Sequence, residues 1–326
     1  MNKKNISKRT VVLGIESTAH TLGLGIYNGK KITHVKDMYK PKKEGIIPRK
    51  AADHHLEVFP SLLKEVLKKS RLKMKDIDAI SFSQGPGIGQ PLQFGCALAR
   101  YLSLKYNKPL VPVNHCQAHI EIGKYDTKLK DPLSVYVSGG NTQIIIEDKK
   151  GYHVLGETLD IGMGNLFDTF GRAMGLEFAH GSVLAKMALK GKYIKLPYSV
   201  KGMNIVFGGM LTASIRALKK HKKEDVVYSM MHNAFASLVE ASERALCLTH
   251  KKELLLCGGV AQNKMLQEML KKMLKPHKAG FGVPRNEYNA DNGAMIAFLG
   301  YKQFKKGITI KTEKALPRQR WRVDKK

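Results

Sequence analysis

At 326 residues and 43% hydrophobic content, the chain is long enough for two core-bearing lobes and has the make-up of an ordinary folded protein. Its first ten residues, M-N-K-K-N-I-S-K-R-T, lack the apolar block of a signal peptide and it has no apolar run of 18 residues, so an export signal and a membrane span are both excluded as expectations. The formal charge of +29 calls for a polyanionic partner, nucleic acid first, with a generally basic or salt-adapted surface as the alternative.

Val11 to Ile26 alternates β-branched and small residues through G-I-E-S-T-A-H-T-L-G-L-G-I, and Tyr27-Asn28-Gly29-Lys30 turns it into Ile32 to Val35. That pattern predicts a strand, a tight loop, a second strand and a hairpin partner. Glu16-Ser17-Thr18 in the first loop could serve a phosphate with hydroxyls and N–H groups, or be a plain polar turn. Met38 to Lys50 reads as an exposed arm. Asp53 to Lys69 reads as a helix with Leu56, Phe59, Leu63, Val66 and Leu67 on one side and a kink at Pro60. Ile77 to Phe82 is a buried strand that feeds G-P-G-I-G, and Pro91 opens a helix to Tyr106. A glycine turn between strand and helix can cradle an anion, although many such turns are only tight connections.

Pro109 to Val113 is the next strand, followed by N-H-C-Q-A-H. His115 and His119 are four apart, so on a helix their Cβ atoms are about 5–6 Å from each other on one face, a spacing that suits one metal ion. Cys116 falls on another side. The four cysteines form no C-x-x-C pair, which argues against a structural zinc finger and for reduced thiols in the cytosol.

Leu133 to Val137 and Thr142 to Glu147 make a second hairpin, closed by Ser138-Gly139-Gly140-Asn141, with Tyr136 just before the loop. Helices are expected at Asn165 to Leu176, Val183 to Lys190 and Glu224 to His250. Leu254 to Cys257 then enters Gly258-Gly259 and a helix from Lys264 to Leu274. The tail from Lys305 is basic and ends R-Q-R-W-R-V-D-K-K, where the overall charge favours phosphate contact over simple solvation.

Two of these pieces repeat. V-P-V-N-H-C-Q-A-H at Val111 matches V-P-R-N-E-Y-N-A-D at Val283 and sets Asp291 opposite His119. G-I-E-S-T-A-H-T-L lines up with the second hairpin, Ser17 with Ser138 and Thr21 with Thr142. Thr21 and Thr142 are 121 positions apart and His119 and Asp291 are 172 apart, so the second half carries 51 extra residues between Leu155 and Arg216. The expected architecture is an α/β duplication. It has a first lobe over 1–130, a second over 131–326 and a helical insertion at about 157–215, with His119 and Asp291 brought to related positions near a pseudo-two-fold axis.

The ordered set G-I-E-S-T-A-H-T, A-A-D-H-H, G-P-G-I-G, N-H-C-Q-A-H, Y-V-S-G-G-N-T-Q, G-G-V-A-Q-N-K-M-L and A-D-N-G-A-M-I-A resembles the universal tRNA N6-adenosine threonylcarbamoyltransferases, once labelled O-sialoglycoprotein endopeptidases. The likeness runs from about Val11 to the tail. Tyr136 places the chain nearer the archaeal and eukaryotic branch, whose members are the catalytic subunit of the KEOPS complex.

The resemblance implies an actin-like ATPase (ASKHA) fold and one metal ion per subunit, iron ahead of zinc, on His115, His119, Tyr136 and Asp291. Ser138, Gly139 and Gly140 would hold the threonylcarbamoyl group, and Asp168, Gly181 and Asn263 would border the adenylate. The donor would be threonylcarbamoyl-AMP and the acceptor N6 of adenosine 37 in a cytoplasmic tRNA. KEOPS subunits, a small kinase-like ATPase among them, would assist. Glu16 is the candidate for a general base.

Three departures from the family pattern stand out. Ala179-His180-Gly181-Ser182-Val183-Leu184-Ala185 replaces P-G-G-P-x-x-E, Glu44-Gly45-Ile46-Ile47-Pro48 replaces G-G-I-H-P, and the tail is shorter. The first bears on nucleotide affinity. Three other functions compete. A metalloprotease is disfavoured because H-C-Q-A-H lacks the glutamate of H-E-x-x-H. An ATPase or sugar kinase of the same fold would need an acidic base beside its acceptor. A non-catalytic tRNA-binding scaffold would need the charge but no ligand set.

Overall fold

The computed structural model describes residues 10–40, 45–176 and 181–325. Its first sheet is built from β1 (Val12–Glu16), β2 (Thr21–Tyr27) and β3 (Ile32–Met38), which pair antiparallel in sequence. The helix α1 (Pro48–Ser70) then leads to β4 (Ala79–Gly85), α2 (Gly89–Tyr106) leads to β5 (Leu110–Asn114), and β4 and β5 join in parallel to give the order β3-β2-β1-β4-β5. β1, β2, β4 and β5 are buried along their whole length, whereas β3 at the sheet edge is buried only at Val35. Pro48 at the first helical turn starts α1, and Arg71 in the left-handed region ends it. Its buried side chains are Ala51, His55, Leu62 and Val66, while Leu56 is 64% exposed, so the expected apolar stripe is rotated by about one residue.

From β5 the chain enters α3 (His115–Thr127) and then a second sheet: β6 (Leu133–Val137), β7 (Thr142–Asp148) and β8 (Gly151–Glu157), again antiparallel. Between β8 and the long α7 (Lys223–Thr249) come α4 (Met163–Ala173), α5 (Gly181–Ala188), the short ribbon β9 (Val200–Lys201) and β10 (Asn204–Ile205), and α6 (Gly208–Ala217). Then follow β11 (Glu253–Cys257), α8 (Lys264–His277), β12 (Gly280–Gly282), α9 (Asn286–Asn289) and α10 (Gly293–Lys305). The second sheet runs β12-β11-β6-β7-β8, with β6, β11 and β12 parallel.

Strand for strand this is the first sheet again, β1 to β5 answered by β6, β7, β8, β11 and β12. The surplus residues fall between β8 and α7, which is where α4, α5, β9, β10 and α6 lie. The sequence pattern does not indicate β8, the β9–β10 ribbon, α6, β12, α9 or α10. β12 spans three residues, too few to alternate, and β8 is only half-buried along most of its length.

Two compact units result. One takes in Ile46–Ile122 and Asp291–Arg322 together with the strands before Lys40; the other takes in Gly123–Ala290. The first unit therefore includes residues 291–322, which motif spacing assigns to the second lobe. The reason is close packing of α10 on β1 and β2. A Cβ on Gly14 would stand 2.2 Å from the Ala297 nitrogen, and one on Gly25 would stand 2.4 Å from the Gly293 carbonyl carbon, so only glycine lets the helix lie this near the sheet. The second unit's core is formed by Val135, Val137 and Ile144 of its sheet with Phe167 and Phe170 of α4 and Met231, Phe235 and Leu238 of α7. Among the described residues, no helix is long and apolar enough to cross a membrane.

Candidate metal centre and anion loop

In the first unit, β5 ends at Asn114, whose side-chain oxygen accepts from the backbone N–H of Cys116 (3.0 Å) and Gln117 (3.2 Å). This caps α3 and fixes its first turn. His115 and His119 then project from one face, their rings edge to face with centroids 4.7 Å apart. Asp291 arrives from the other end of the chain, two residues before Gly293 is locked onto the sheet, with Asn292 capping α10 through the Met295 N–H and the Lys36 ammonium donating to the Asp291 carbonyl.

One oxygen of Asp291 is 3.6 Å from His115 Nε2 and 3.4 Å from His119 Nε2. Ligand atoms each ~2.1 Å from a tetrahedral ion are about 3.4 Å apart; the two Asp291 distances match that spacing, and the three ligand atoms together lie within 4.8 Å of one another, so a small inward shift of the two rings would let them share one ion. Cys116, although buried, is not part of this cluster.

The ring nitrogen of His115 that faces away from Asp291 is held as well. Glu16, at the end of β1 and with no exposed surface, places one oxygen 2.9 Å from His115 Nδ1, and its other oxygen accepts from the Thr18 N–H (2.7 Å) and hydroxyl (2.5 Å). A carboxylate behind a histidine selects the tautomer protonated on Nδ1 and leaves the Nε2 lone pair for a metal.

Burial by itself would lower the pKa of His115, but the Glu16 carboxylate and Asp291 outweigh it and lift the pKa to about 9. Burial dominates at His119 and moves it down, against the pull of Asp291. Burial would raise Asp291, yet the two histidines hold its carboxyl well below the usual range.

These contacts revise two expectations. Glu16 has both oxygens engaged and no surface, so the geometry gives it a positioning role on His115 in place of a base that meets substrate. Nor is the loop after β1 a phosphate cradle: the Ser17 N–H and hydroxyl go to the Ser83 hydroxyl and the Pro91 carbonyl, and Thr18 goes to Glu16. The glycine turn before α2 is likewise engaged, since the Gly87 N–H donates to the Gln319 carbonyl and the Ile88 N–H to the Thr18 carbonyl.

The remaining candidate residues lie in the second unit, on β6, the loop after it, α4, α5 and the turn that follows β11. Tyr136 is fully buried on β6, where Gly258, at φ +98°, passes so close that a Cβ would meet its ring at 3.1 Å and the Val137 oxygen at 2.4 Å. The loop Ser138–Asn141 is closed by the Ser138 hydroxyl, which accepts from the Asn141 N–H. The start of α4 clasps it through its carbonyls, as the Gly164 and Asn165 N–H groups donate to the carbonyls of Ser138 and Gly139. The N–H groups of Gly139 and Gly140 donate to no acceptor among the described residues, and both glycines are exposed. Backbone N–H groups in such a turn are the kind of donors that can receive an anion.

Asp168 follows Asn165 by three residues on α4 and so shares its side of the helix. Gly181 opens α5 beside α4, and a Cβ there would meet Phe167 at 3.5 Å, ordinary contact, so the backbone does not demand glycine. The preceding residues of that motif, Ala179 and His180, and Glu44 of the arm motif lie outside the described residues. Asn263 caps α8, accepting from the N–H groups of Met265 (2.9 Å) and Leu266 (3.3 Å), which leaves its NH₂ for other work. Its turn, Gly259–Gln262, packs against β6 and α4. Sequence spacing misses the parts played by Thr18 and Asn114, the residues that hold Glu16 and α3 in place. Both sit in or beside a quoted motif, which is the one signal that could have found them.

Two sheets of matching strand order, the first carrying a His-His-carboxylate cluster that could hold a metal, define a class: proteins of the actin-like ATPase fold. Solved structures agree on the fold. The T. kodakarensis protein titled HypF superposes with a TM-score of 0.68 at 15% identity over 92% of this chain and 48% of that one. The Acidaminococcus fermentans (R)-2-hydroxyglutaryl-CoA dehydratase component A gives 0.57 at 17% identity over 90% of this chain and 98% of that one.

The family model for tRNA N6-adenosine threonylcarbamoyltransferase matches residues 29–298, and the chain belongs to that family. A tRNA N6-adenosine threonylcarbamoyltransferase of Thermococcus sibiricus is 48% identical over 96% of this chain and 98% of its own length. A Methanocaldococcus jannaschii protein named as a probable bifunctional tRNA threonylcarbamoyladenosine biosynthesis protein is 48% identical over 95% of this chain and 59% of its own.

Proposed function

We propose that this chain transfers the threonylcarbamoyl group from threonylcarbamoyl-AMP to N6 of the adenosine at tRNA position 37. The observation that carries this reading is the His115–His119–Asp291 cluster backed by Glu16, in a chain 48% identical to a transferase of that name along nearly its whole length. The donor is a mixed anhydride and is already activated, so the protein's task is to hold, orient and polarise it. The adenosine amine attacks the carbamoyl carbon, a C–N bond forms, the C–O bond to phosphate breaks, AMP departs with the electron pair and the amine proton is lost to solvent.

Gly139 and Gly140 would direct their N–H groups at the oxygen on which negative charge develops, in an arrangement whose carbonyls are already tied to α4 and cannot turn inward. Asp168, Gly181 and Asn263 would border the adenylate. The metal, for which we favour iron over zinc with Tyr136 as fourth ligand, would supply Lewis-acid polarisation and a template when bound. We place the reaction in the cytoplasm, with KEOPS-type helper subunits including a small kinase-like ATPase.

The test is nucleoside mass spectrometry of tRNA incubated with threonylcarbamoyl-AMP and the chain with its helpers. Threonylcarbamoyladenosine is the expected product. Its absence from a metal-loaded sample would favour a tRNA-binding scaffold or an ATPase.

A further inference from the structure

The C-terminal segment is a fixed strap. Ile310 bridges to Leu110 of β5, the Gln84 amide donates to the carbonyls of Lys314 (3.0 Å) and Leu316 (2.8 Å), and Ala315 is fully buried. Further on, the Arg318 N–H donates to the Gln84 carbonyl (2.7 Å) and the Gly87 N–H to the Gln319 carbonyl (3.2 Å). At Gly85, with φ +154°, a Cβ would fall 2.0 Å from the Arg318 oxygen, so the strap presses directly on the β4 terminus. Finally the Asn114 amide donates to the carbonyls of Trp321 (3.2 Å) and Arg322 (3.3 Å). The same side chain caps the helix that begins at His115. The strap thus starts at the amino end of β5, passes along the carboxyl ends of β4 and β5 and finishes one residue from His115 of the candidate metal cluster.

Only backbone is needed for that clamp, yet three of the side chains it displays share one character. Arg318, Arg320 and Arg322 are all exposed and alternate along the strap. The Arg318 guanidinium lies over the Trp321 ring, 4.0 Å from its centroid. A guanidinium stacked on an indole keeps its N–H edge in plane, the geometry that grips a phosphate with two parallel hydrogen bonds. Because the backbone is already ordered, binding through these arginines costs less conformational entropy than binding through a loose basic tail.

We propose that Arg318, Arg320 and Arg322 contact phosphates of the tRNA strand flanking the acceptor adenosine, and that the strap sets the position of that strand against the His115 end of α3. This rests on the tRNA reading above.

The test is fluorescence anisotropy of tRNA with the full-length chain over a salt series, comparing wild type with R320A and with R318A/R320A/R322A. The expected result is a several-fold weaker Kd for R320A and a Kd weaker by about 30-fold or more for the triple variant near 0.1 M salt. The log–log salt slope should also become shallower by about 0.7–0.9 for each phosphate left without its arginine, and metal content should stay equal to wild type. The Arg318 stack on Trp321 is intact in R320A, so the effect of that variant does not depend on the strap staying folded in the triple variant. A wild-type chain that yields threonylcarbamoyladenosine while both variants keep its Kd and slope overturns the strap proposal alone. A wild-type chain that neither binds nor modifies tRNA overturns both.

Discussion

Glu16→Gln isolates the carboxylate behind His115. The carboxylate accepts three hydrogen bonds, one at His115 Nδ1 and two at Thr18, all at 2.5–2.9 Å. A glutamine offers one oxygen and one NH₂ in the same space. If the oxygen stays on Thr18, the NH₂ faces His115 Nδ1 and drives the ring to the tautomer protonated on Nε2, which blocks the ligand lone pair. If the oxygen stays on His115, the NH₂ confronts the Thr18 N–H in a fully buried site. Either way the centre loses orientation, and losses at such outer partners run at about 10–100-fold in metal affinity, roughly 1.4–2.7 kcal/mol. Competition titration of Zn²⁺ or Fe²⁺ against a chromophoric chelator measures it, with a metal-free thermal melt alongside to separate affinity from folding. A Glu16→Gln protein that binds metal within about twofold of wild type would refute the positioning role.

His119→Ala and Asp291→Ala should each lose most bound metal by elemental analysis, since each removes one atom of a set whose members lie within 4.8 Å; full occupancy in both would mean the cluster is not the centre. Asn263→Asp keeps the helix cap but removes the NH₂, whereas Asn263→Ala also loses the cap at about 1 kcal/mol; if the amide meets the adenylate, both should weaken calorimetric binding of a non-hydrolysable adenylate and only the alanine variant should melt earlier. Burial drives the pKa of His55 down from 6.5 to about 4, opposed by its bond to the Ala19 carbonyl. The folded state therefore binds fewer protons than the unfolded chain, and stability is present above pH 6.5 and falls as pH drops toward 4, by up to about 3 kcal/mol. Urea unfolding across that window should show the slope in wild type and a flatter profile in His55→Phe.

The duplication is legible in the sequence because hairpins carry their own register. Ser17 against Ser138 and Thr21 against Thr142 sit at equal distances from strand ends, and both loops are four residues long in the structure. The pairing of His119 with Asp291 is also legible, through V-P-V-N and V-P-R-N, although 172 positions separate them. What the pattern does not carry is the path of α10. The sequence reading assigns no element to A-D-N-G-A-M-I-A, and the place of its helix on the first sheet depends on Gly14, Gly23 and Gly25, whose value lies in atoms they lack. The anion readings of the E-S-T loop and the G-P-G-I-G turn fail for a related reason. A motif shows which donors exist, and only the fold shows which carbonyls reach them first. At G-P-G-I-G one of those carbonyls belongs to Gln319, far along the chain in the C-terminal strap.

The two hairpin loops show how one repeated element takes on two chemistries. Each is the four residues between the first two strands of its sheet, and the last strand residue is Glu16 in one and Val137 in the other. Glu16 is buried and acidic, so it needs donors. It takes the Thr18 N–H and hydroxyl from its own loop and turns its second oxygen to His115, which ties the loop to the candidate metal cluster. Val137 makes no such demand and joins the apolar core. Its loop is closed by Ser138 and clasped through its carbonyls by α4, and the two glycines that follow Ser138 keep their N–H groups outward. A Cβ on Gly140 would meet nothing within 4 Å, and one on Gly139 would meet only the Asn165 side chain, so the pair leaves open space for a ligand against bare backbone. A single acidic-to-apolar difference at the strand end thus separates a loop tied to the His115–His119–Asp291 cluster from one whose backbone N–H groups stay open.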